Sequence, residues 1–285
     1  MKRLLVPFLL LAASAALGAE RDYTDAMARE HAGDRPDPSP AALAGPAVPV
    51  TASPVTYGTV VGTPVAGWLA RPQHAGEIRG ALIVIHEWWG LNDNIRSMAE
   101  QLAGEGYAAL AVDLYGGQSA ATPQEARELM QAVMADRNAA EANLRAAYGY
   151  LTGELGAAQV ASIGWCFGGA WSLNIALMYP RDLDAAVIYY GRLVTDESLL
   201  APVEVPLLGL FGALDQGIPM ESVRAFEEAL AKLDKDAEIV VYDDADHAFA
   251  NPSGQRYNAI AAADAWRRTR AFLAEHLEPA RAMDR

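Results

Sequence analysis

The sequence predicts an α/β fold in which helices cover both faces of a mostly parallel central sheet. From residue 81 onward, short apolar runs alternate with amphipathic stretches of helical length, which is typical of parallel sheets built from strand–helix–strand units. The runs 81–85 and 108–112 are apolar throughout, as expected of strands buried on both faces. A chain of 285 residues, 52% of them hydrophobic, suits one sizeable domain or two small ones.

Composition excludes several classes of function. The chain has 22 Lys and Arg against 36 Asp and Glu, a net charge of −14, so we expect no nucleic-acid partner and no binding to an anionic membrane surface. Cys166 is the sole cysteine, which rules out an internal disulfide framework and any multi-thiolate zinc or iron–sulfur site. We expect neither a metal nor an organic cofactor, and the lone thiol is either core filling or the reactive atom.

The first 19 residues resemble a secretory signal peptide. Lys2 and Arg3 precede an apolar run at 4–17 that is short for a membrane span, and small residues follow up to Ala19. Cleavage near Gly18 or Ala19 would release an exported protein, periplasmic or secreted, with no membrane span. An uncleaved anchor is the alternative.

Residues 20–53 are rich in alanine, proline and charge, and they predict a linker or a strap on the surface of a domain at 54–285. A short helix at 23–31 is the only element indicated there. No function is assigned to His31, or to His74 and His276 elsewhere in the chain.

The sequence of this domain predicts strands and helices in a regular order. Runs rich in β-branched residues at 55–61 and 65–70 flank a Gly/Thr/Pro turn and indicate an antiparallel hairpin at the sheet edge. After strand 81–85, the periodicities predict helix 94–104, strand 108–112, helices 124–135 and 139–151, strand 160–163, helix 170–179, strands 185–190 and 207–211, helix 222–233, strand 238–241 and helix 257–276.

The sharpest local motif is Gly-Trp-Cys-Phe-Gly-Gly at 164–169, between a predicted strand and a predicted helix. A G-x-nucleophile-x-G turn uses glycines because the backbone is strained and closely packed. Cys166 is then expected to be exposed at the helix N-terminus, where the helix dipole favours the thiolate and the N–H of Phe167 can face an oxyanion. Alternatively, Cys166 is a small apolar residue in a tight turn.

Asp215 and His247 are candidates for the acid and base that such a nucleophile needs. Each follows a predicted strand, at 207–211 and 238–241, in the order nucleophile, acid, histidine that is found with this turn. Alternatively, Asp215 caps a helix or forms a turn, and His247 is an ordinary loop histidine. Nearby aspartates at 243, 244 and 246 lack the pattern of a calcium loop and indicate a turn.

The segment after strand 81–85 supplies further candidates, because ligands of such sheets bind beyond the carboxyl ends of the strands. Glu87 would lie over the same crevice as Cys166 and could accept its proton, unless it forms an ion pair with Arg96 or a cap. Trp88 and Trp89 line a pocket or fill space beneath a loop, and packing is favoured for Trp89. His86 is interpreted as structural.

Together these residues resemble the dienelactone hydrolases of the α/β-hydrolase superfamily. The resemblance covers about 55–276 and rests on the blocks His86-Glu87-Trp88-Trp89-Gly90-Leu91-Asn92, Gly106-Tyr107-Ala108, Asp113-Leu114-Tyr115, Gly164 to Gly169, Tyr189-Tyr190-Gly191, Asp215 and Asp246-His247-Ala248-Phe249. Cysteine at the nucleophile position, together with the acidic residue at 87, distinguishes this family from generic esterases.

The resemblance implies a role for each matching position. Cys166, Asp215 and His247 match the catalytic triad, and Glu87 matches the glutamate that holds the resting thiol and can take its proton. The site residues implied at the remaining positions are the backbone N–H groups of Trp88 and Phe167 as the oxyanion hole, and Tyr190, Trp89 and Asn251 as substrate contacts.

The chain departs from the family in its arginines, which bind a substrate carboxylate there. Asn251 stands where the family can have one, and the segment 120–137 offers no clear match for the other, Arg127 being nearby. We therefore expect a cofactor-free, monomeric hydrolase of small esters or enol-lactones. The alternatives are an exported general carboxylesterase or thioesterase, and a non-catalytic binding protein on the same scaffold.

Overall fold

The computed structural model describes residues 23–36, 45–46, 48–73 and 78–277. The predicted signal peptide at 1–19 and His74 lie outside the described residues. In the described part of the chain, eight strands form one sheet: β1 Val50–Val60, β2 Thr63–Pro72, β3 Ala81–Ile85, β4 Ala108–Val112, β5 Val160–Trp165, β6 Ala185–Tyr189, β7 Leu207–Gly212 and β8 Ala237–Tyr242.

The sheet has the spatial order β1-β2-β4-β3-β5-β6-β7-β8. The hairpin β1–β2 is antiparallel and joins β4 antiparallel, and every pairing from β4 to β8 is parallel. The predicted α/β-hydrolase fold with a mostly parallel sheet is therefore confirmed. β1 begins at Val50, inside the segment 20–53, and the hairpin strands extend beyond the predicted 55–61 and 65–70.

Helices cover both faces of the sheet. They are α1 at residues 23–30, α2 Asp93–Gly104, α3 Pro123–Ala135, α4 Arg137–Gly149, α5 Phe167–Met178, α6 Glu197–Leu200, α7 Met220–Lys232 and α8 Ala259–Leu277. A single π-helical turn, Tyr150–Glu154, continues α4. The predicted helices are present, with ends shifted by up to three residues, and the short α6 lacked a sequence signal.

Local chemistry explains several of these boundaries. Thr122 and Glu125 form a capping box around Pro123, which starts α3. Asn92 caps α2 by accepting a hydrogen bond from the Ile95 N–H. The five central strands β3 to β7 are buried along their whole length, as their continuous apolar runs predict.

Parallel strands bring the loops after β3, β5, β7 and β8 to the same edge of the sheet. These loops carry Glu87, Cys166, Asp215 and His247 respectively. The α1 helix and the turn that follows it pack over this edge, where Met27 and His31 are buried. No helix in the described ranges has the length and apolar character needed to cross a bilayer.

Candidate active site

Cys166 lies in a sharp turn between β5 and α5. Its backbone has φ 56° and ψ −116°, outside the usual regions for a residue with a side chain. The turn is held on one side by the Cys166 N–H, which donates to the Tyr189 carbonyl at 3.0 Å. Phe167 is the first residue of α5, so its N–H has no acceptor within the helix.

The glycines around Cys166 are required by space. A Cβ on Gly164 would lie 2.1 Å from the Gly168 carbonyl oxygen, and one on Gly168 would lie 2.2 Å from the Ile85 carbonyl oxygen. Both distances are far below contact, so a side chain at either position would push α5 away from the sheet. The motif at 164–169 therefore fixes the cysteine at the helix N-terminus.

His247 and Asp215 form a fully buried pair. His247 Nδ1 lies 2.7 Å from Asp215 Oδ2, and neither side chain is exposed. The other carboxylate oxygen of Asp215 accepts from the N–H groups of Gly217 and Ile218, both at 2.8 Å. These bonds fix the carboxylate, and the carboxylate in turn fixes the imidazole, so the pair presents His247 Nε2 toward Cys166.

Cys166 is fully buried, so the expectation of an exposed thiol is wrong. Residues 23–34 cover the sulfur, and its surroundings are polar because His31 and His247 face it. The donor atoms of His31, Cys166 and His247 all lie within 4.8 Å of one another, and Cys166 Sγ is 3.9 Å from His31 Nε2.

His31 is the site residue that sequence reasoning missed. Its ring packs on Trp88 with centroids 4.4 Å apart and meets the His247 ring edge-on at 5.1 Å. Asp34 Oδ2 lies 2.7 Å from His31 Nδ1. The only available signal was a histidine followed three residues later by an aspartate, in a segment with little other regularity.

Arg256 anchors the segment that carries His31. Its guanidinium lies 2.7 Å from Asp34 Oδ2, 2.9 Å from His31 Nδ1 and 3.3 Å from a Glu30 carboxylate oxygen. It also donates to the Glu30 carbonyl. Further along α1, Arg127 forms an ion pair with Asp25, so this arginine holds the covering helix.

The ionisation of the site favours a thiolate. Burial alone would raise the pKa of Cys166. The positive charge of the nearby His247 outweighs burial, and together with His31 it lowers the pKa of Cys166 to about 6. Burial lowers the pKa of His247, whereas Asp215 and the Cys166 thiolate raise it well above its ordinary value. Both shifts favour a Cys166 thiolate beside a protonated His247 near neutral pH.

Glu87 is a buried acid beside this pair. Burial and then the Cys166 thiolate raise its pKa to about 7. Asn251, predicted to contact substrate, donates from Nδ2 to Glu87 Oε2 at 2.7 Å. Arg96 pairs with Asp93 at 2.6 Å, and the alternative of a Glu87–Arg96 ion pair is wrong.

His86 has the structural role predicted for it. Its Nε2 accepts from the Leu114 N–H at 3.2 Å, so the proton lies on Nδ1, which donates to the Glu87 carbonyl at 2.6 Å. Burial lowers the pKa of this imidazole and keeps it neutral. The ring therefore links the loop after β3 to the end of β4.

Buried polar atoms of the site without a hydrogen-bond partner among the described residues include His247 Nε2, Trp88 Nε1 and Tyr190 Oη. The Tyr190 ring meets the His247 ring at 5.2 Å, and its backbone has a positive φ of 36°. Trp89 is almost fully buried and packs edge-on against Trp88, as its favoured packing role predicts. Trp88 and Tyr190 thus place donors without a partner beside the two histidines of the site.

A cavity of about 280 Å³ opens beside Phe167. Two arginines line it: Arg137, whose guanidinium lies over Trp171 at 5.2 Å, and Arg192, whose guanidinium lies over Tyr23 at 4.9 Å. Neither arginine lies in one of the sequence motifs described above, so local patterns did not predict them as neighbours of Phe167.

The strand order, the strained cysteine turn and the buried His247–Asp215 pair define an α/β-hydrolase. The family model of the dienelactone hydrolase family matches residues 65–277, and the chain belongs to this family.

Curated relatives support the assignment. A protein of Saccharolobus solfataricus provisionally named carboxymethylenebutenolidase is 30% identical, over 74% of this chain and 94% of its own. A Salmonella typhimurium protein with the same provisional name is 33% identical, over 75% of this chain and 84% of its own.

Solved structures share the fold. A provisionally named dienelactone hydrolase of Klebsiella pneumoniae superposes with a TM-score of 0.72 at 30% identity, covering 80% of this chain and 99% of the other. A dienelactone hydrolase-like promiscuous phosphotriesterase from metagenomic libraries has the same TM-score at 27% identity, covering 80% of this chain and 98% of the other.

Proposed function

We propose that this hydrolase cleaves small carboxylic esters or enol-lactones with Cys166 as its nucleophile. The observation that carries the proposal is the convergence of three buried groups: a cysteine in a strained turn at a helix N-terminus, a histidine beside it, and a carboxylate 2.7 Å from that histidine. This is the arrangement that nucleophile, base and orienting acid require.

The proposed reaction is acyl transfer followed by hydrolysis. The Cys166 thiolate attacks the substrate carbonyl carbon, and the N–H groups of Phe167 and Trp88 stabilise the oxyanion, each worth roughly 3–4 kcal/mol by analogy with measured donors. His247 protonates the leaving oxygen as the C–O bond breaks. It then removes a proton from water, which attacks the thioester and releases the acid and the thiolate.

Glu87 serves the resting enzyme in this scheme. With a pKa raised to about 7 by burial and by the thiolate, it can hold the proton of the thiol and return it. Asn251 keeps its carboxylate in place through the 2.7 Å bond. Glu87 is therefore a proton reservoir beside the nucleophile.

The class of substrate follows from the leaving group. A thiolate leaves the tetrahedral intermediate more readily than an ordinary alkoxide does, so esters with good leaving groups, such as enol esters or thioesters, are favoured. Neutral esters are the second candidate, because asparagine stands at position 251, where it contacts Glu87, and because Arg127 pairs with Asp25.

A substrate screen with a covalent titration tests the proposal. Iodoacetamide can label only Cys166 as a thiol, because the chain has one cysteine. We expect intact protein to hydrolyse a 4-nitrophenyl ester or an anionic enol-lactone, and we expect one equivalent of label to abolish activity. The ratio of the two rates decides between neutral and anionic substrates.

A lack of hydrolysis would be informative only if the covering segment does not prevent entry. The screen is therefore repeated with Arg256→Ala, which loosens residues 23–34. If neither protein hydrolyses any ester, the binding-protein alternative replaces the proposal. Activity that survives full labelling contradicts Cys166 as the nucleophile.

We also propose that residues 1–19 direct export and that the mature enzyme is a monomer. The basic, apolar and small-residue regions of the leader support the first proposal. N-terminal sequencing of protein from cell fractions is expected to begin after Gly18 or Ala19 in the exported fraction, with a monomer mass in solution. Retention of Met1 in the cell interior contradicts export.

A further inference from the structure

Three metal-ligating side chains meet at the covered edge of the sheet. His31, Cys166 and His247 are all buried, their donor atoms lie within 4.8 Å of one another, and Cys166 Sγ is 3.9 Å from His31 Nε2. The proposed hydrolysis uses Cys166 and His247 but gives no task to His31.

Both imidazoles are oriented in the manner of metal ligands. His31 Nδ1 is 2.7 Å from Asp34, and His247 Nδ1 is 2.7 Å from Asp215. A carboxylate on one ring nitrogen leaves the lone pair of the other for a metal and is the usual outer partner of a ligating histidine. Arg256 lies 2.9 Å from His31 Nδ1, and metal binding selects the tautomer whose Nδ1–H faces Asp34.

A second observation points into the same space. His247 is fully buried, yet its Nε2 has no hydrogen-bond partner among the described residues. A buried nitrogen without a partner costs free energy. Once His247 has released its proton, the lone pair of Nε2 is free to bind a cation. The carboxylates of Asp34 and Asp215 contact the two imidazoles, and Glu87 is near enough to Cys166 for their charges to interact. These groups favour a cation there and oppose the effect of the Arg256 guanidinium.

The donor set selects the metal. Two imidazoles and one thiolate suit Zn²⁺, whereas Mg²⁺ and Ca²⁺ require oxygen ligands. Tetrahedral zinc with bonds of about 2.0–2.1 Å to nitrogen and 2.3 Å to sulfur places the donors roughly 3.3–3.6 Å apart. The observed 3.9 Å between Sγ and His31 Nε2 needs a small contraction, and the donors spaced most widely, within 4.8 Å, must approach by up to about 1.5 Å.

We propose that His31, Cys166 and His247 form a Zn²⁺ site that closes the N-terminal segment over the nucleophile. Three bonds form, from the two Nε2 atoms and from Sγ, and a water molecule completes the tetrahedron. The proton on His247 leaves to solvent as its Nε2 binds the metal, and no redox change occurs. Bound zinc would inhibit hydrolysis because it occupies the nucleophile and its base, and this consequence rests on the proposed function. Metal binding itself is independent of the proposed function.

The one-thiolate site is compatible with the composition. A single cysteine excludes zinc sites built from several thiolates, but it does not exclude a mixed site with two histidines. Such a site depends on His31, which the fold brings from 135 positions earlier in the chain.

Cobalt provides the direct readout of binding. The full chain is stripped with a chelator and titrated with Co²⁺, a spectroscopic substitute for Zn²⁺. We expect one equivalent to give a sulfur-to-cobalt charge-transfer band and the visible bands of tetrahedral cobalt, and we expect Zn²⁺ but not Mg²⁺ to abolish them. Absence of these bands in the wild-type chain overturns the proposal.

Variants assign the ligands. His31→Gln is expected to lose the tetrahedral bands, Cys166→Ser the charge-transfer band, and Asp34→Asn about 10–100-fold in affinity through its loss as an outer partner. His276→Gln, on α8 away from the site, is the matched control and should bind like wild type. Circular dichroism of each variant verifies folding. If His31→Gln does not fold, Asp34→Asn still tests the site, because it retains all three ligands.

Ester hydrolysis separates this proposal from the proposed function. Zn²⁺ is expected to inhibit the wild-type chain and to inhibit His31→Gln far more weakly. Hydrolysis without cobalt bands would support the proposed hydrolase function and overturn the metal site. In that case the role of His31 is limited to packing on Trp88. Cobalt bands without hydrolysis of any ester would support the metal site and contradict the proposed function.

Discussion

At the scale of single residues, the site depends on how burial and charge divide the protons among Cys166, His247 and Glu87. Burial opposes every charge there, but Asp215 fixes a positive His247, and that charge stabilises the thiolate. The cost of these buried charges is met by the short bonds within the Asp215–His247 pair and to Gly217 and Ile218.

The Cys166 thiol is expected to ionise far below its ordinary range. The ultraviolet absorbance of the thiolate, with the Cys166→Ser variant subtracted, is expected to rise with a midpoint at about pH 6, compared with an ordinary pKa of 9.0. His247→Gln should shift the midpoint upward, because the charge that lowers the pKa is lost. A wild-type midpoint near 9 would show that the ion pair does not form.

The raised pKa of Glu87 makes the stability of the folded chain depend on pH. The unfolded chain releases this proton near pH 4.5 and the folded chain near 7, so between these values unfolding releases a proton and stability falls as pH rises. Glu87→Gln keeps the bond from Asn251 and removes the buried charge. We expect it to be more stable than wild type by about 2–3 kcal/mol at pH 8, with little difference below pH 5.

Urea unfolding at several pH values measures this difference. Glu128→Gln, at an exposed position on α3, is the matched control and should show no such trend. A stability gain for Glu87→Gln that is the same at every pH would contradict a raised pKa for Glu87.

At the scale of elements, the turn between β5 and α5 determines where the nucleophile lies. Gly164 and Gly168 let the helix begin close to the sheet, and this closeness sets the direction of the Cys166 side chain. The sequence therefore carries the nucleophile in a local motif that can be recognised without a structure.

Gly168→Ala tests this dependence. The added Cβ would lie 2.2 Å from the Ile85 carbonyl oxygen, a backbone atom that cannot turn away, so we expect a loss of about 3 kcal/mol in the free energy of unfolding. Gly149→Ala, at the end of α4 with open space around its Cβ, is the control and should gain about 0.5–1 kcal/mol. Equal stabilities for both variants would contradict the steric account.

The strand and helix order, the Cys166 turn and the positions of Asp215 and His247 follow from local patterns, so sequence predicts them. His31 could not be predicted, because its position depends on contacts between distant segments: Arg256 with residues 30–34, and the His31 ring with Trp88. The burial of Cys166 was missed for the same reason, since a local motif does not show what covers it.

At the scale of the whole molecule, the N-terminal segment and the hydrolase domain share one site. Residues 23–34 supply His31 and cover Cys166, while the domain supplies the anchors Arg256 and Arg127. Access to the sulfur is therefore controlled by how firmly this segment is held.

Arg256→Ala is expected to expose the thiol. It removes ion pairs to Glu30 and Asp34 whose side chains are mostly buried, and a weakening of ~1.4 kcal/mol corresponds to about a tenfold faster reaction of Cys166 with a disulfide reagent. Arg270→Ala breaks an exposed pair with Glu105 and serves as the control. An unchanged rate in Arg256→Ala would show that this segment does not limit access.

The most direct test of the account is to identify the acylated residue during turnover. The protein is mixed with a 4-nitrophenyl ester and the reaction is quenched within the first turnover. The protein is then digested, and the masses of the peptides are measured by mass spectrometry. We predict one acyl group per chain, on the peptide that contains Cys166, and none in Cys166→Ala. An acyl group on another residue, or undiminished hydrolysis by Cys166→Ala, would contradict the central claim that this sulfur performs the chemistry.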